Sequence, residues 1–139
     1  MIKAVIFDCY GVMLDIFNNT KEPRMIAFVH SLRATYKTGM VSNVSGRASL
    51  DAKFADGELD ELFDAVIPSG DVGVEKPDPE IFRLAAERLG VAAEECLFID
   101  DISEYVAAAQ AVGMQGVHHV DPEVTIATVT TVLGGAHER

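Results

Sequence analysis

The sequence has little positive charge and no basic run that could form a local positive patch. Of its 139 residues, 11 are Lys or Arg and 22 are Asp or Glu, which gives a formal net charge of −11. A surface of that sign repels phosphate backbones and anionic lipid headgroups. We therefore expect that neither a nucleic acid nor a membrane is a partner of this protein.

The sequence also lacks long apolar runs and has few cysteines. No apolar stretch approaches the roughly 18–20 residues of a membrane-spanning helix. The first residues do not have the apolar core and cleavage site of a signal peptide. The two cysteines, Cys9 and Cys96, are too few for a disulfide framework and lie in short apolar runs. We expect reduced thiols and a cytoplasmic protein.

Short apolar runs alternate with helical patterns along the chain. Apolar runs of this kind are typical of strands buried on both faces, and Pro or Asp before a periodic stripe indicates the start of a helix. The expected strands are 3–7, 40–41, 62–68, 96–99 and 114–120. The expected helices are one from Pro23 that Gly39 ends, then 46–54, 79–89, 103–112 and 122–133, followed by a loose tail.

Strands that alternate with helices predict right-handed βαβ units and one parallel sheet. We expect a single domain, residues 1–139, of the α/β class. Its architecture is predicted to be a Rossmann-like three-layer sandwich, with a five-stranded parallel sheet and helices on both faces. In such sheets, ligands bind outside the carboxyl ends of the strands.

Polar side chains collect at that edge of the predicted sheet. Each of the first, second and fourth strands is followed at once by polar residues, and the loop after the third carries a lysine. These residues are Asp8, Ser42, Asn43, Lys76, Asp100 and Asp101. Carboxylates, a hydroxyl and an ammonium group are therefore expected to converge on one crevice.

The three carboxylates of this crevice indicate a metal site. Asp8, Asp100 and Asp101 repel one another when ionised unless a cation lies between them. Oxygen ligands that are few in number suit Mg²⁺, which keeps some of its waters and leaves room for a phosphate. With Lys76, such a cation would neutralise an incoming phosphate, so that Asp8 becomes a candidate nucleophile. Ser42 could hold the phosphoryl oxygens.

The segments that carry these residues resemble the four motifs of the haloacid dehalogenase (HAD) superfamily of hydrolases. FDCYGVMLD resembles the first motif, VSN the second, GVEKPDPEIF the third and FIDD the fourth. The order is that of the superfamily, and the match covers nearly the whole chain. The resemblance implies catalytic roles for Asp8, Tyr10 and Lys76, substrate contacts from Ser42, Asn43 and Lys76, and metal contacts from Asp8, Tyr10, Asp100 and Asp101.

Tyr10 departs from the phosphatase pattern. Phosphatases of this superfamily have a second Asp two residues after the nucleophile, where it protonates the leaving group and activates water. A phenol with a pKa of about 10 is a poor base at neutral pH, and Tyr10 could equally serve as core packing. Haloacid dehalogenases have an aromatic residue at this place, whereas the pair Asp100-Asp101 resembles phosphatases and the N-domains of epoxide hydrolases.

A cap domain is not expected, because the segment between Asp15 and Ser42 accommodates only one helix and one strand, and the segment 68–76 is also short. An open crevice suits a large substrate such as a phosphoprotein, weak activity, or a second copy of the chain that covers the site as a homodimer. We expect a Mg²⁺-dependent phosphatase of low turnover that acts on a phosphorylated small molecule or phosphoprotein. The alternatives are a 2-haloacid dehalogenase-type hydrolase that uses Asp8, and an inactive scaffold that binds a partner.

Overall fold

The computed structural model describes residues 1–137, with side chains as far as residue 134. Its strands form one five-stranded sheet in the order β3-β2-β1-β4-β5, and every neighbouring pair is parallel. The strands are β1 (Ala4–Phe7), β2 (Lys37–Ser42), β3 (Ala65–Pro68), β4 (Cys96–Asp100) and β5 (Gln115–His118). The predicted five-stranded parallel sheet is confirmed, and the assignment of the whole chain to one domain stays a prediction.

Helices connect these strands. In the described part of the chain they are α1 (Pro23–Leu32), α2 (Arg47–Asp51), α3 (Glu58–Leu62), α4 (Ser69–Val72), α5 (Pro79–Leu89), α6 (Ser103–Ala111) and α7 (Pro122–His137), with a 3-10 turn at Ala93–Glu95. The start of α5 follows the sequence prediction, because the Asp78 carboxylate accepts a hydrogen bond from the backbone N–H of Glu80 at 2.9 Å. The left-handed Gly90 ends the same helix.

The central strand β1 supplies both layers of the core. Successive side chains of a strand point to opposite faces, so Val5 and Phe7 pack into the layer formed with α1, α3 and α7. Ala4 and Ile6 pack into the layer formed with α5 and α6. All four side chains are fully buried, which explains why β1 is apolar throughout. The predicted three-layer sandwich with helices on both faces is confirmed.

The boundary between α1 and β2 differs from the sequence prediction. The helix ends at Leu32, and Gly39 lies inside β2 instead of ending a helix. A Cβ built on Gly39 would lie 3.0 Å from a methyl group of Leu89. Glycine is therefore required at this position because α5 approaches the sheet closely. The local sequence alone predicts that the same glycine ends a helix.

Two other segments are also corrected. The expected helix 46–54 is only α2, and Leu62 belongs to α3, so that β3 begins at Ala65 and not at residue 62. The tail, expected to be loose after residue 133, continues α7 as far as His137, and its residues 138–139 lie outside the described residues. The Thr and Val residues that weaken helix propensity in α7 are offset by packing, because Val129 and Leu133 are buried in the core.

The connections leave the carboxyl edge of the sheet uncovered by any cap domain within residues 1–137. The connection from β1 to β2 contains a tight turn, a small hairpin at residues 14–21 and α1. The connection from β3 to α5 contains only the short helix α4 and a loop. In the same part of the chain, no helix is both long enough and apolar enough to cross a membrane.

Candidate active site

The sheet register brings the predicted carboxylates together. Phe7 of β1 pairs with Ile99 of β4, so the next residues along each strand, Asp8 and Asp100, lie side by side at the carboxyl edge. Asp101 follows directly, and one carboxylate oxygen from each of Asp8, Asp100 and Asp101 lies within 4.8 Å of the others. The predicted convergence of the three acidic side chains is therefore present in the structure.

Lys76 reaches this cluster from the loop after α4. Its Nζ lies 2.7 Å from Oδ1 of Asp8 and 2.8 Å from Oδ2 of Asp100. Lys76 is 1% exposed, Asp8 6% and Asp100 0%. When all the groups are ionised, the three carboxylates exceed the one ammonium by two negative charges. A divalent cation would balance that difference in a region closed to most solvent.

The environment of these groups shifts their protonation. Burial, together with repulsion from the Asp100 and Asp101 carboxylates, raises the pKa of Asp8 to about 8 despite the lowering effect of Lys76. Burial also raises the pKa of Asp100. Burial alone would lower the pKa of Lys76, but Asp8 and Asp100 hold it above its ordinary value. A cation bound among the carboxylates would favour their ionised forms.

Asp101 has a feature that fits a metal ligand. Its Oδ1 is buried and has no hydrogen-bond partner among the described residues, a state that is costly for a carboxylate. The turn after β1 passes so close that a Cβ on Gly11 would overlap the Asp101 carboxylate. Gly11 also has a φ of +87°, which favours glycine. The turn thus brings the backbone against Asp101 and leaves its oxygen available for a cation.

Asn43 is tied to the lysine loop. Its Oδ1 accepts a hydrogen bond from the backbone N–H of Lys76 at 2.9 Å, and its Nδ2 donates one to the backbone oxygen of Lys76 at 3.0 Å. The peptide bond that follows, Lys76–Pro77, is cis. Since its amide group is already bonded to this loop, Asn43 holds Lys76 in place. Its predicted contact with substrate stays a prediction.

Tyr105 is a site residue to which the sequence pattern assigned no role. Its ring centroid lies 5.1 Å from Lys76 Nζ, a distance at which a cation and an aromatic face attract each other. Its hydroxyl lies 3.4 Å from Asn43 Nδ2. One sequence signal could have found it: Tyr105 lies four residues after Asp101, in the first turn of the helix that follows β4. The contact of Gly11 with Asp101 was also not predicted, because the sequence shows only that Gly11 lies within the first motif.

Tyr10 and Ser42 occupy the places that the motifs predicted, without forming part of the acidic cluster. Tyr10 is half-buried and packs against the core layer that contains Phe7. Burial raises its pKa, and Cys9 adds to the rise, so still less of the basic phenolate form exists at neutral pH. Ser42 ends β2 and is 1% exposed. The catalytic and metal roles of Tyr10 and the phosphate contact of Ser42 stay predictions.

Two hollows flank the cluster. A groove of about 580 Å³ lies beside Asn43 and is lined by the small residues Ser45, Ser69 and Gly70, with Glu75 at its edge. A smaller hollow of about 150 Å³ lies on the side of Gly11, between the hairpin and the loop after β5.

Comparison with known proteins places these observations in context. A family model described as haloacid dehalogenase-like hydrolase matches residues 18–113, more than half of the chain. Phosphatase MT3486 of Mycobacterium tuberculosis is 36% identical over 89 residues, which are 64% of this chain and 41% of that protein. The chain spans no more than about two-fifths of the length of the curated relatives that it matches.

Solved structures share the fold at lower identity. An uncharacterized protein from Corynebacterium glutamicum is 24% identical, with a TM-score of 0.84, over 96% of both chains. An alanine mutant of a HAD family enzyme from Bacteroides thetaiotaomicron, in complex with magnesium and inorganic phosphate, is 17% identical. It has a TM-score of 0.75 and matches 86% of this chain and 95% of its own.

Proposed function

Because the chain belongs to the haloacid dehalogenase-like hydrolases, we propose that it is a Mg²⁺-dependent phosphatase that forms an aspartyl-phosphate on Asp8. The observation that carries this proposal is the set of Asp8, Asp100 and Asp101 oxygens within 4.8 Å of one another beside the buried Lys76. A relative that is 36% identical is named a phosphatase, and a neighbour in fold was crystallised with magnesium and phosphate.

Asp8, Asp100 and Asp101 would hold the metal ion. When bound, Mg²⁺ supplies positive charge that neutralises the phosphate and the negative charge that develops during transfer. The buried, partnerless Oδ1 of Asp101 and the close Gly11 turn support this assignment. The chemistry of the donors supports it as well, because all three are hard oxygen ligands of the kind that Mg²⁺ prefers.

The residues of this chain would carry out two displacements. In the first, a carboxylate oxygen of Asp8 bonds to phosphorus, the ester P–O bond breaks, and the departing alkoxide takes a proton from solvent water. In the second, water attacks the phosphorus and loses a proton to solvent, and the P–O bond to Asp8 breaks. This step regenerates the Asp8 carboxylate and releases inorganic phosphate. Lys76, at 2.7 Å from Asp8, balances negative charge during both displacements, and Ser42 would orient the phosphoryl group.

Tyr10 sets the expected speed of this cycle. A general base for the second displacement should have a pKa near the working pH, and burial raises the pKa of Tyr10 above its ordinary value of 10.0. Breakdown of the aspartyl-phosphate would therefore be slow, with low turnover on generic phosphoesters. The substrate would be a phosphorylated small molecule or phosphoprotein, and a second copy of the chain could cover the open edge.

The test is phosphate release from p-nitrophenyl phosphate with Mg²⁺ and with EDTA. We expect Mg²⁺-dependent release that Asp8→Asn abolishes and that Asp56→Asn, at an exposed position, leaves unchanged. Release that survives Asp8→Asn would contradict the role of Asp8. Halide release from 2-haloacids without Mg²⁺ would favour the dehalogenase alternative, and Mg²⁺ or phosphate binding without any hydrolysis would favour the inactive scaffold.

A further inference from the structure

Exposed apolar side chains are concentrated at the carboxyl edge of the sheet. Among the described residues, the large apolar side chains that are exposed are Met1, Ile16, Phe17, Ile102, Val120 and Val124. All except Met1 belong to loops or helix starts that directly follow β1, β4 or β5, the strands whose ends surround Asp8 and Asp100. Phe17 is 94% exposed and Val120 74%. A contiguous exposed apolar patch can mark a binding site, and Ile16, Phe17 and Val120 line one hollow together.

Three of these side chains line the smaller of the two hollows. Ile16 and Phe17 approach it from the hairpin and Val120 from the loop after β5, while Gly11 and Val12 form its inner wall. Its volume of about 150 Å³ is comparable with that of an apolar cavity that holds a benzene ring. Gly11 also lies against the Asp101 carboxylate, so this residue adjoins both the hollow and the acidic cluster.

The polar groups in this wall are already engaged in local hydrogen bonds. The Oδ1 of Asp15 accepts from the backbone N–H groups of Phe17 and Asn18 at 2.8 and 3.3 Å. The carboxylate of Glu22 accepts from Arg24, and Nδ1 of His119 bonds to Thr125 at 2.7 Å. The carboxylate of Asp15 also repels a second anionic group.

We propose that this hollow receives the leaving group of the substrate, and that the substrate is a phosphomonoester of a neutral, apolar alcohol. This proposal rests on the proposed phosphatase function. The phosphate would lie at the Asp8 cluster, with the ester bond directed past Gly11 towards Ile16, Phe17 and Val120. The apolar alcohol would cover side chains that the free protein leaves exposed, and this burial would favour binding.

The test uses a series of straight-chain alkyl phosphates from ethyl to octyl. Their leaving groups have nearly the same basicity, so kcat/KM reports the contact with the alkyl chain and not the chemistry of the ester bond. We expect kcat/KM to rise with chain length by up to about fourfold per buried methylene, until the hollow is filled. Propyl phosphate should be a better substrate than glycerol phosphate, which has the same carbon chain with two hydroxyl groups.

Two variants and a matched control locate the contact. Phe17→Ser and Val120→Ser should flatten the dependence of kcat/KM on chain length. Val124→Ser, at a position that is 57% exposed and outside the lining of the hollow, should keep the dependence. Alkylphosphonates, which are not hydrolysed, provide a second measurement: their affinity in the presence of Mg²⁺, determined by calorimetry, should follow the same pattern.

The outcomes separate this inference from the proposed function. Hydrolysis of every ester with no dependence on chain length overturns the inference and leaves the phosphatase function standing. A preference for glycerol phosphate also overturns it and assigns the leaving group to the groove beside Asn43. If no ester is hydrolysed, the proposed function fails. In that case, the alkylphosphonates decide the inference. A phosphonate affinity that rises with chain length, and that no longer rises in Phe17→Ser, supports the apolar subsite. A phosphonate affinity that is independent of chain length overturns it.

The same variants test a different occupant of this surface. If Phe17→Ser or Val120→Ser converts a dimer into a monomer without changing the dependence on chain length, the surface is an interface between copies of the chain and the inference is overturned. Sedimentation of the wild type and the variants measures this.

Discussion

The ammonium group of Lys76 lies 2.7 Å from Oδ1 of Asp8, and neither group has more than a small contact with solvent. The same ammonium lies 2.8 Å from Asp100. Lys76 thus bridges two buried carboxylates and offsets part of their charge, and it also lies beside the atom that we propose attacks phosphorus. One residue therefore supports the fold and the chemistry together, and its removal should affect both.

Replacing Lys76 should destabilise the protein. In Lys76→Met, two carboxylates face each other in the interior without a counter-charge, a change that typically costs about 3–5 kcal/mol. Urea unfolding measures the loss, and Lys53→Met at an exposed position is the control. Saturating Mg²⁺ should restore part of the stability of Lys76→Met, because the ion binds only the folded arrangement. A Lys76→Met protein as stable as Lys53→Met would contradict the buried ion pair.

Gly11 should be required for metal affinity. A methyl group at this position overlaps the Asp101 carboxylate, so Gly11→Ala should displace that ligand and weaken Mg²⁺ binding by about 10–100-fold. Gly57→Ala is the matched control, because Gly57 has a φ of +76° but no atom within 4 Å of its Cβ position. Both variants place an alanine at a positive φ, and only Gly11→Ala should change the Mg²⁺ titration. Equal Mg²⁺ affinities in the two variants would argue against Asp101 as a ligand.

The role of Asn43 can be separated from that of a substrate contact. Asn43→Ala removes both hydrogen bonds to the backbone of Lys76, so we expect a loss of about 1–3 kcal/mol in stability and a lower kcat. Tyr105→Phe keeps the ring beside Lys76 and loses only the contact of 3.4 Å, so its effect should be small. A rise in KM with unchanged stability in Asn43→Ala would instead indicate that the amide binds substrate.

Much of the site was predictable from the sequence because it depends on topology. Once β1 and β4 are recognised as parallel strands, Asp8 and Asp100 must follow them at the same edge, whatever their separation along the chain. The bond between Asn43 and the Lys76 loop was not predictable in this way, because it depends on the conformations of two irregular loops. The position of Gly39 inside β2 was not predictable for a related reason. A glycine is needed there because the side chain of Leu89, which is 50 residues away in the sequence, packs closely against it.

The two cysteines should resist modification in the folded protein. Burial raises the pKa of Cys9 to about 12 and that of Cys96 to about 11. At pH 8 the thiolate fraction should therefore be very small, and a disulfide reagent such as DTNB should react with both thiols only after unfolding in urea. The shifts also imply that stability falls as the pH rises above 9, where the unfolded thiols ionise first. Rapid labelling of the native protein at pH 8 would contradict this burial.

The most direct test of the central claim is to trap the phosphorylated enzyme. Because Tyr10 is a poor base, the aspartyl-phosphate should form faster than water removes it, so it should accumulate when a reaction with Mg²⁺ and p-nitrophenyl phosphate is quenched in acid. Borohydride reduction and peptide mass spectrometry should then identify the modified residue as Asp8, with no signal in Asp8→Asn. Steady Mg²⁺-dependent turnover with the modification at another residue, or without any modification in the quenched protein, would contradict the account.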